Sequence, residues 1–316
     1  MIEPATHFRD FRRVAVVGGG VIGISWSALF LAHDLEVVIS DPRPDIEKLV
    51  VDGLAEIRPT LDALGYDTSR LTTKLSFVAE IADAVSEVDV VQENAPEQLD
   101  VKQSIWTAVE GAAPSHALFA TSTSSIPATK IAAAMKHPER LIVGHPFNPP
   151  HLVPLVEVVP GERTSAETIE LARSFYLSVS KRPLVLGKEI PGFVANRLQS
   201  ALFRECIYLV EQGVVTEQEL DDVVTSSIGM RWAVTGPFQT FHLGGGPGGF
   251  PDFLTHFGKM MEGMWPALGS PALDAHTVAL LSQQATNFGA TVQELAAKRD
   301  AGQIALMRAL GETPSH

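Results

Sequence analysis

The chain has 316 residues, 45% of them apolar, and carries a formal charge of −13 from 24 basic and 37 acidic side chains. That length and apolar content suffice for two domains with ordinary cores, and the acidic excess argues against sequence-independent nucleic-acid binding, which rests on clustered Lys and Arg. No apolar run reaches the ~18 residues of a bilayer span, residues 1–13 lack the pattern of a signal peptide, and the single cysteine, Cys206, fits a reducing cytoplasm.

The first half of the chain alternates short β-branched runs with helical spacing. Val14-Ala15-Val16-Val17, Glu36-Val37-Val38-Ile39, Val88-Asp89-Val90-Val91, Ala117-Leu118-Phe119-Ala120 and Leu141-Ile142-Val143 read as buried parallel strands. Helical spacing occupies 21–32 and 127–135 between them. This rhythm predicts an α/β fold, a Rossmann-type doubly wound and mostly parallel sheet with helices on both faces. Leu155-Val156-Glu157-Val158-Val159 and Pro183-Leu184-Val185-Leu186 extend the same sheet. After Gly187 the pattern changes. Pro191 and Gly192 punctuate the chain, and 193–213, 217–224 and 277–310 carry helical spacing with no further strand signal. The expected division is a nucleotide-binding domain over 1–187 and an all-α domain over 188–316. Within the second, Gly244-Gly245-Gly246-Pro247-Gly248-Gly249 reads as a mobile loop. Phe203, Ile207 and Leu209 beside Cys206 suggest a buried thiol that packs as a small hydrophobe.

Directly after the first strand, Gly18-Gly19-Gly20-Val21-Ile22-Gly23 matches G-x-G-x-x-G and leads into a helix. Gly18 permits the tight turn and Gly20 lets the backbone approach a pyrophosphate. That group then rests on the helix amino terminus, while Gly23 lets helix and strand pack closely. Asp41 ends the second strand, 18 residues after Gly23, where a carboxylate takes adenosine ribose hydroxyls and repels a 2′-phosphate. NAD is therefore expected over NADP, with Arg43 nearby. The expected cofactor residues are Gly18, Gly20, Val21, Ile22, Gly23, Asp41, Arg43, Glu97 and Lys102.

Ser124, His145 and Glu157 stand out in the stretch 122–157, which supplies the strand ends and loops where open α/β sheets bind ligands. Alcohol oxidation needs a base of near-neutral pKa within reach of the hydroxyl, and imidazole is the usual choice. His145 follows a strand and is held by Pro146. Glu157 interrupts an apolar strand, where a carboxylate is costly unless paired; the economical partner is the second nitrogen of His145. A structural His at a strand end and a solvated Glu on an edge strand is the alternative, and His145, His151 and Glu157 as metal ligands is another that the nucleotide-binding pattern does not support. No metal is expected.

Gly18 to Gly23, Ser124, Gly144-His145-Pro146-Phe147-Asn148-Pro149, the strand with Glu157 and Pro191-Gly192-Phe193-Val194-Ala195-Asn196-Arg197 together resemble the 3-hydroxyacyl-CoA dehydrogenase superfamily. The resemblance implies that His145 is the catalytic base, that Glu157 orients it, and that Ser124 and Asn196 hold the reacting oxygen. It also implies a homodimer formed through the helical domain. A coenzyme A substrate normally needs a basic patch, yet between Asp45 and Glu80 only Lys48, Arg58, Arg70 and Lys74 stand among seven acidic residues. The chain is more similar to the CoA-independent branch, which contains the L-carnitine and L-gulonate 3-dehydrogenases and lambda-crystallin. This resemblance implies NAD-dependent oxidation of the 3-hydroxyl of a small hydroxy acid. Arg231 is then a candidate for a substrate carboxylate, and Trp232 and Phe238 for a cationic head, with Phe241, Phe253, Phe257 and Trp265 nearby; helix packing is the alternative for these rings. A 3-hydroxyacyl-CoA dehydrogenase and a non-catalytic, crystallin-like NAD-binding protein remain the competing functions.

Overall fold

A computed structural model describes residues 10–312; most of the segment tested for a leader, residues 1–9, lies outside them. The chain forms two compact units, the first running to Val194 and taking the chain back from Lys298, the second covering Ala195–Ala297.

The first unit is built on an eight-stranded sheet of order β3-β2-β1-β4-β5-β6-β7-β8. Its strands are β1 (Arg13–Val17), β2 (Glu36–Ser40), β3 (Leu75–Phe77), β4 (Val90–Glu93), β5 (Leu118–Thr121), β6 (Leu141–Pro146), β7 (Leu155–Pro160) and β8 (Arg182–Val185). All pairings are parallel except β6 with β7, which is antiparallel. Between them lie α1 (Val21–Ala32), α2 (Ile46–Leu64), α3 (Ile81–Val85), α4 (Leu99–Ala112), α5 (Ala128–Ile131) and α6 (Ala166–Ser178). The helix expected over 127–135 is thus short, passing at Ala132 into a 3-10 turn.

Helices cover both faces because the central strands are apolar on both, as parallel sheets require. One core joins α1, α2 and α6 to the sheet through Trp26, Phe30, Leu54, Phe175 and Tyr176. The other joins α3, α4 and α5 through Trp106, Val109, Phe119 and Ile131. The strand order reverses between β1 and β4, and the glycine turn after β1 opens on this switch point, where doubly wound sheets bind ligands.

The second unit contains α7 (Ala195–Glu211), α8 (Glu217–Ser226), α9 (Ile228–Val234), α10 (Pro237–Gly244), α11 (Gly249–Met264) and α12 (Ala275–Ala285), followed by the start of α13 (Val292–Ala309). Thr216 and Glu219 cap α8 reciprocally. The glycine-rich stretch expected as a loop is instead the end of α10, a 3-10 turn over Gly246–Gly248 and the first turn of α11. Cys206, expected to be buried, is only partly covered and lines a pocket of about 440 Å³ with Phe203, Leu220 and Phe288.

The division of the chain also differs from the expected 187/188. The strap 188–194 belongs to the first unit, and so does the chain from Lys298. Three contacts explain this. The Val194 amide donates to Glu157 (2.9 Å), and the second half of α13 lays Ile304 into the first core while Thr60 donates to Asp300 (3.0 Å). Among the described residues no helix is long and apolar enough to cross a membrane.

Candidate active site

The glycine turn has the backbone its spacing predicts. Gly18 sits at φ +96°, and a Cβ there would lie 2.8 Å from the Asn94 carbonyl oxygen; a Cβ on Gly23 would lie 2.0 Å from the Gly18 oxygen. Neither position accepts a side chain. Gly20, by contrast, faces open space and caps α1 without any side-chain hydrogen bond, so no side-chain cap occupies the first N–H groups of that helix, the kind of terminus that binds anions. Val21, the first helical residue, is 73% exposed and Ile22 packs on the core. Asp41 accepts from the Gly19 amide (2.8 Å) and from Arg43 Nε and Nη2 (both 2.8 Å). Burial works against the charge on Asp41, but Arg43 and the Gly19 amide outweigh it and hold the carboxyl below its ordinary value. These features together fit a dinucleotide: an open backbone for the pyrophosphate and a lasting negative charge for the ribose.

Glu97 lies in the loop after β4 and Lys102 in the first turn of α4. The Glu97 carboxylate accepts from Thr123 Oγ1 (2.6 Å), the Ser124 amide (3.0 Å) and the Ser125 amide and hydroxyl (2.8 and 2.9 Å). Burial opposes its ionisation, yet these donors and the Lys102 charge prevail and lower its pKa. Glu97 therefore shapes the loop that carries Ser124, which is itself exposed. Lys102, expected to face the cofactor, is buried to 1% exposure. Its ammonium holds Glu93 (2.8 Å) and the Ala95 carbonyl (3.2 Å) and lies 3.5 Å from Glu97. It braces the turn instead of offering charge to a ligand.

His145 and Glu157 are directly opposite each other in the antiparallel β6–β7 pair. Side chains at such positions share one face of the sheet, and here His145 Nδ1 and Glu157 Oε2 stand 2.8 Å apart with both residues buried. The second carboxylate oxygen accepts the Val194 amide. A carboxylate only accepts, so Nδ1 carries the hydrogen and the imidazole lone pair falls on Nε2. Phe147 and Phe193 flank the ring at centroid distances of 5.6 and 5.2 Å. Phe193 holds φ +49° directly after Gly192 at +75°, a left-handed conformation that is uncommon for a bulky side chain and is stabilised here by its burial. Periodicity did not mark Phe147, and it placed Phe193 at the start of a helical run, whereas the helix begins at Ala195 and Phe193 lies in the turn before it.

The sequence also gave no warning of a polar network beneath this site. Tyr176 donates to Gln92 (2.8 Å), Gln92 and Trp26 donate to Ser122 Oγ (2.9 and 3.1 Å), and Ser122 donates to Asn94 (2.7 Å). A Cβ on Gly144 would fall 1.7 Å from the Tyr176 hydroxyl, which accounts for the glycine before His145. The signal available was Gln92-Glu93 at the end of an apolar run. His151, the third member of the metal alternative, is instead engaged with Ser25 of α1 (Nδ1 to Oγ, 2.8 Å), and burial pushes its pKa down to about 4. No group of three or more potential ligands is placed to hold a metal ion among the described residues.

In the second unit, Arg231 and Trp232 lie on α9 and Phe238 on α10, all exposed. Phe238 packs against Phe250 (5.8 Å), and Phe241, Phe253 and Phe257 stack in series at 4.7 and 5.2 Å. These rings, expected as candidates for a cation box, therefore also pack the α10–α11 pair. Asn196 is the second residue of α7.

The family model of the 3-hydroxyacyl-CoA dehydrogenase NAD binding domain matches residues 13–190, and that of the C-terminal domain matches residues 192–269. The chain belongs to the 3-hydroxyacyl-CoA dehydrogenase family. As a member of it the chain is an NAD-dependent oxidoreductase acting on a secondary alcohol. It is 42% identical to L-carnitine dehydrogenase of Streptomyces coelicolor, over 97% of each chain. It is 40% identical to L-carnitine dehydrogenase of Pseudomonas aeruginosa, over 96% of this chain and 95% of that one. Among solved structures, an NAD+-dependent dismutase, 5-formyl-3-hydroxy-2-methylpyridine 4-carboxylic acid 5-dehydrogenase, superposes with a TM-score of 0.81. It is 32% identical and the match covers 95% of this chain and 99% of that one. The chain therefore carries out NAD-dependent oxidation of a 3-hydroxy acid.

Proposed function

We propose that the substrate is L-carnitine, oxidised at its 3-hydroxyl to the 3-keto acid. The observation that carries the mechanism is the buried His145–Glu157 pair, in which the carboxylate fixes the ring with Nε2 as the basic nitrogen. The reading of the substrate rests on full-length relatives named for that activity. It is also supported by the basic residues of α2 and the segment after it, where coenzyme A phosphates would need positive charge. Lys48 pairs with Asp52 and Lys74 with Asp34.

His145 Nε2 takes the hydroxyl proton as the carbon–oxygen double bond forms and the C3 hydrogen departs with its electron pair. NAD, when bound, supplies the acceptor for that pair. Glu157 keeps the ring oriented and faces the positive charge that the ring acquires with the proton. Ser124 and Asn196 donate to the oxygen as it becomes a carbonyl. Gly18, Gly20, Val21, Ile22 and Gly23 hold the pyrophosphate, Asp41 the ribose, and Arg43 keeps the Asp41 carboxylate ionised and in place. Arg231 receives the substrate carboxylate, and Trp232 and Phe238 offer ring faces to its trimethylammonium. The enzyme works in the cytoplasm as a homodimer joined through the second unit, whose surface carries Phe203, Val223, Met264, Trp265 and Phe288 in exposed positions.

A panel of L-carnitine, L-gulonate, 3-hydroxybutyrate and 3-hydroxybutyryl-CoA with NAD, followed by NADH absorbance, tests the assignment. Turnover of L-carnitine at least tenfold above the other three is expected. Preferential turnover of the thioester would replace this substrate by an acyl-CoA, and no turnover of any hydroxy acid would leave an NAD-binding protein without this activity.

A further inference from the structure

Lys181 follows α6, where Ser180 takes φ +57° to reverse the chain before β8. It is 4% exposed, and no carboxylate lies within ion-pair distance of it among the described residues. A buried ammonium without a counter-ion is costly, so its position calls for an explanation that the proposed chemistry does not give. Its Nζ donates to two carbonyls of one loop, those of Pro150 and Val153, the latter at 2.6 Å. The face of the Trp26 ring lies 5.5 Å from the same nitrogen.

The loop so held, 147–154, joins β6 to β7. Those two strands carry His145 and Glu157, and their pairing depends on register, because a one-residue slip in an antiparallel pair turns every side chain to the opposite face. The loop begins with Phe147, whose ring meets His145 edge-on. Its middle is fastened to α1 by the His151 amide and ring, both bonded to Ser25. Lys181 closes the remaining side, from the position just before β8.

We propose that Lys181 is a positioning residue for the reaction: by gripping the Pro150 and Val153 carbonyls it fixes the β6–β7 loop, and with it the alignment of His145 on Glu157. A hydrocarbon side chain of similar length at this position fills the space but leaves two buried carbonyls without a donor. The loop then relaxes, Phe147 loses its place against the imidazole, and the proton acceptor is misaimed while the glycine turn that binds the cofactor is untouched. Misplacement by about 1 Å can reduce turnover about 10²-fold.

This inference rests on His145 being the base, so Lys181→Met, Lys181→Arg and His145→Gln are assayed side by side with L-carnitine and NAD. Turnover is expressed per site titrated with NADH. For Lys181→Met, kcat should fall about 10- to 100-fold with the KM for NAD within about twofold of wild type, and Lys181→Arg should recover part of the loss. A purely structural lysine would lower the folded fraction and leave kcat per titrated site unchanged; that result overturns the proposal. If His145→Gln retains wild-type turnover, the base assignment fails instead. Should Lys181→Met not fold, amide exchange of Lys181→Arg decides. Faster exchange in the 147–154 segment together with reduced kcat supports the grip, and wild-type exchange with wild-type kcat refutes it.

Discussion

Replacing Glu157 by Gln keeps the shape of the buried pair and removes its charge, so it isolates what the carboxylate contributes. The second oxygen of Glu157 accepts the Val194 amide at 2.9 Å. In the variant that amide requires the Gln oxygen, which turns the Gln NH2 toward His145 Nδ1. Nδ1 must then accept, the ring hydrogen moves to Nε2, and the imidazole presents a donor where the reaction needs a base. A second loss adds to this. The imidazolium formed on proton transfer would face a neutral amide across the present 2.8 Å contact, forgoing an attraction of about 4 kcal/mol for charges ~4 Å apart at an effective dielectric constant of ~20. Either effect alone supports a fall in kcat of about 10²- to 10³-fold. The assay is NADH formation with L-carnitine at saturating NAD, with NAD affinity measured by calorimetry on the same preparation. NAD binding should be unchanged, because no contact described at the glycine turn involves Glu157. A variant with kcat within about tenfold of wild type would show that the carboxylate neither sets the tautomer nor supports the imidazolium.

The same geometry makes further predictions. Asp41→Asn should raise the KM for NAD about 10- to 100-fold, as one or two charge-assisted bonds to the ribose are lost at about 1.5–3 kcal/mol each; kcat at saturation should hold, and steady-state kinetics against NAD and NADP checks both. Gly144→Ala drives a methyl to 1.7 Å from the Tyr176 hydroxyl, so urea unfolding should show a loss of about 2–4 kcal/mol from overpacking and the broken Tyr176–Gln92 bond. His151, lowered from 6.5 to about 4 by burial, binds its proton in the unfolded chain well before it does so in the folded one. Stability should therefore fall as pH drops from about 6.5 to about 4, by up to about 3 kcal/mol, and thermal melts of His151→Asn should show a flatter decline over that range. Sedimentation of the intact chain should give a dimer, which a Phe203→Glu, Phe288→Glu double variant dissociates.

The part of the molecule legible in the sequence is the part governed by local rules. Alternating β-branched runs and helical spacing gave the doubly wound sheet, because each parallel strand is apolar on both faces and each helix on one stripe. The glycine turn was readable to the residue, since φ +96° at Gly18 and the contact at Gly23 admit no other side chain. The three-residue β3 was not, being too short for a periodic signal. Glu157 could be flagged as a costly charge in an apolar strand, but only the antiparallel pairing of β7 with β6 puts it opposite His145; strand direction depends on partners that the local pattern does not name. Lys102 shows the same limit from the other side, as a lysine near a nucleotide site suggests a ligand contact until its partner Glu93 is seen to be buried with it. Phe147 and Phe193, which flank the imidazole, and Lys181, which grips the loop beside it, lie in loops or next to a strand's end. There, the backbone is held by neighbours distant in sequence, and only the tertiary structure decides which side chains meet.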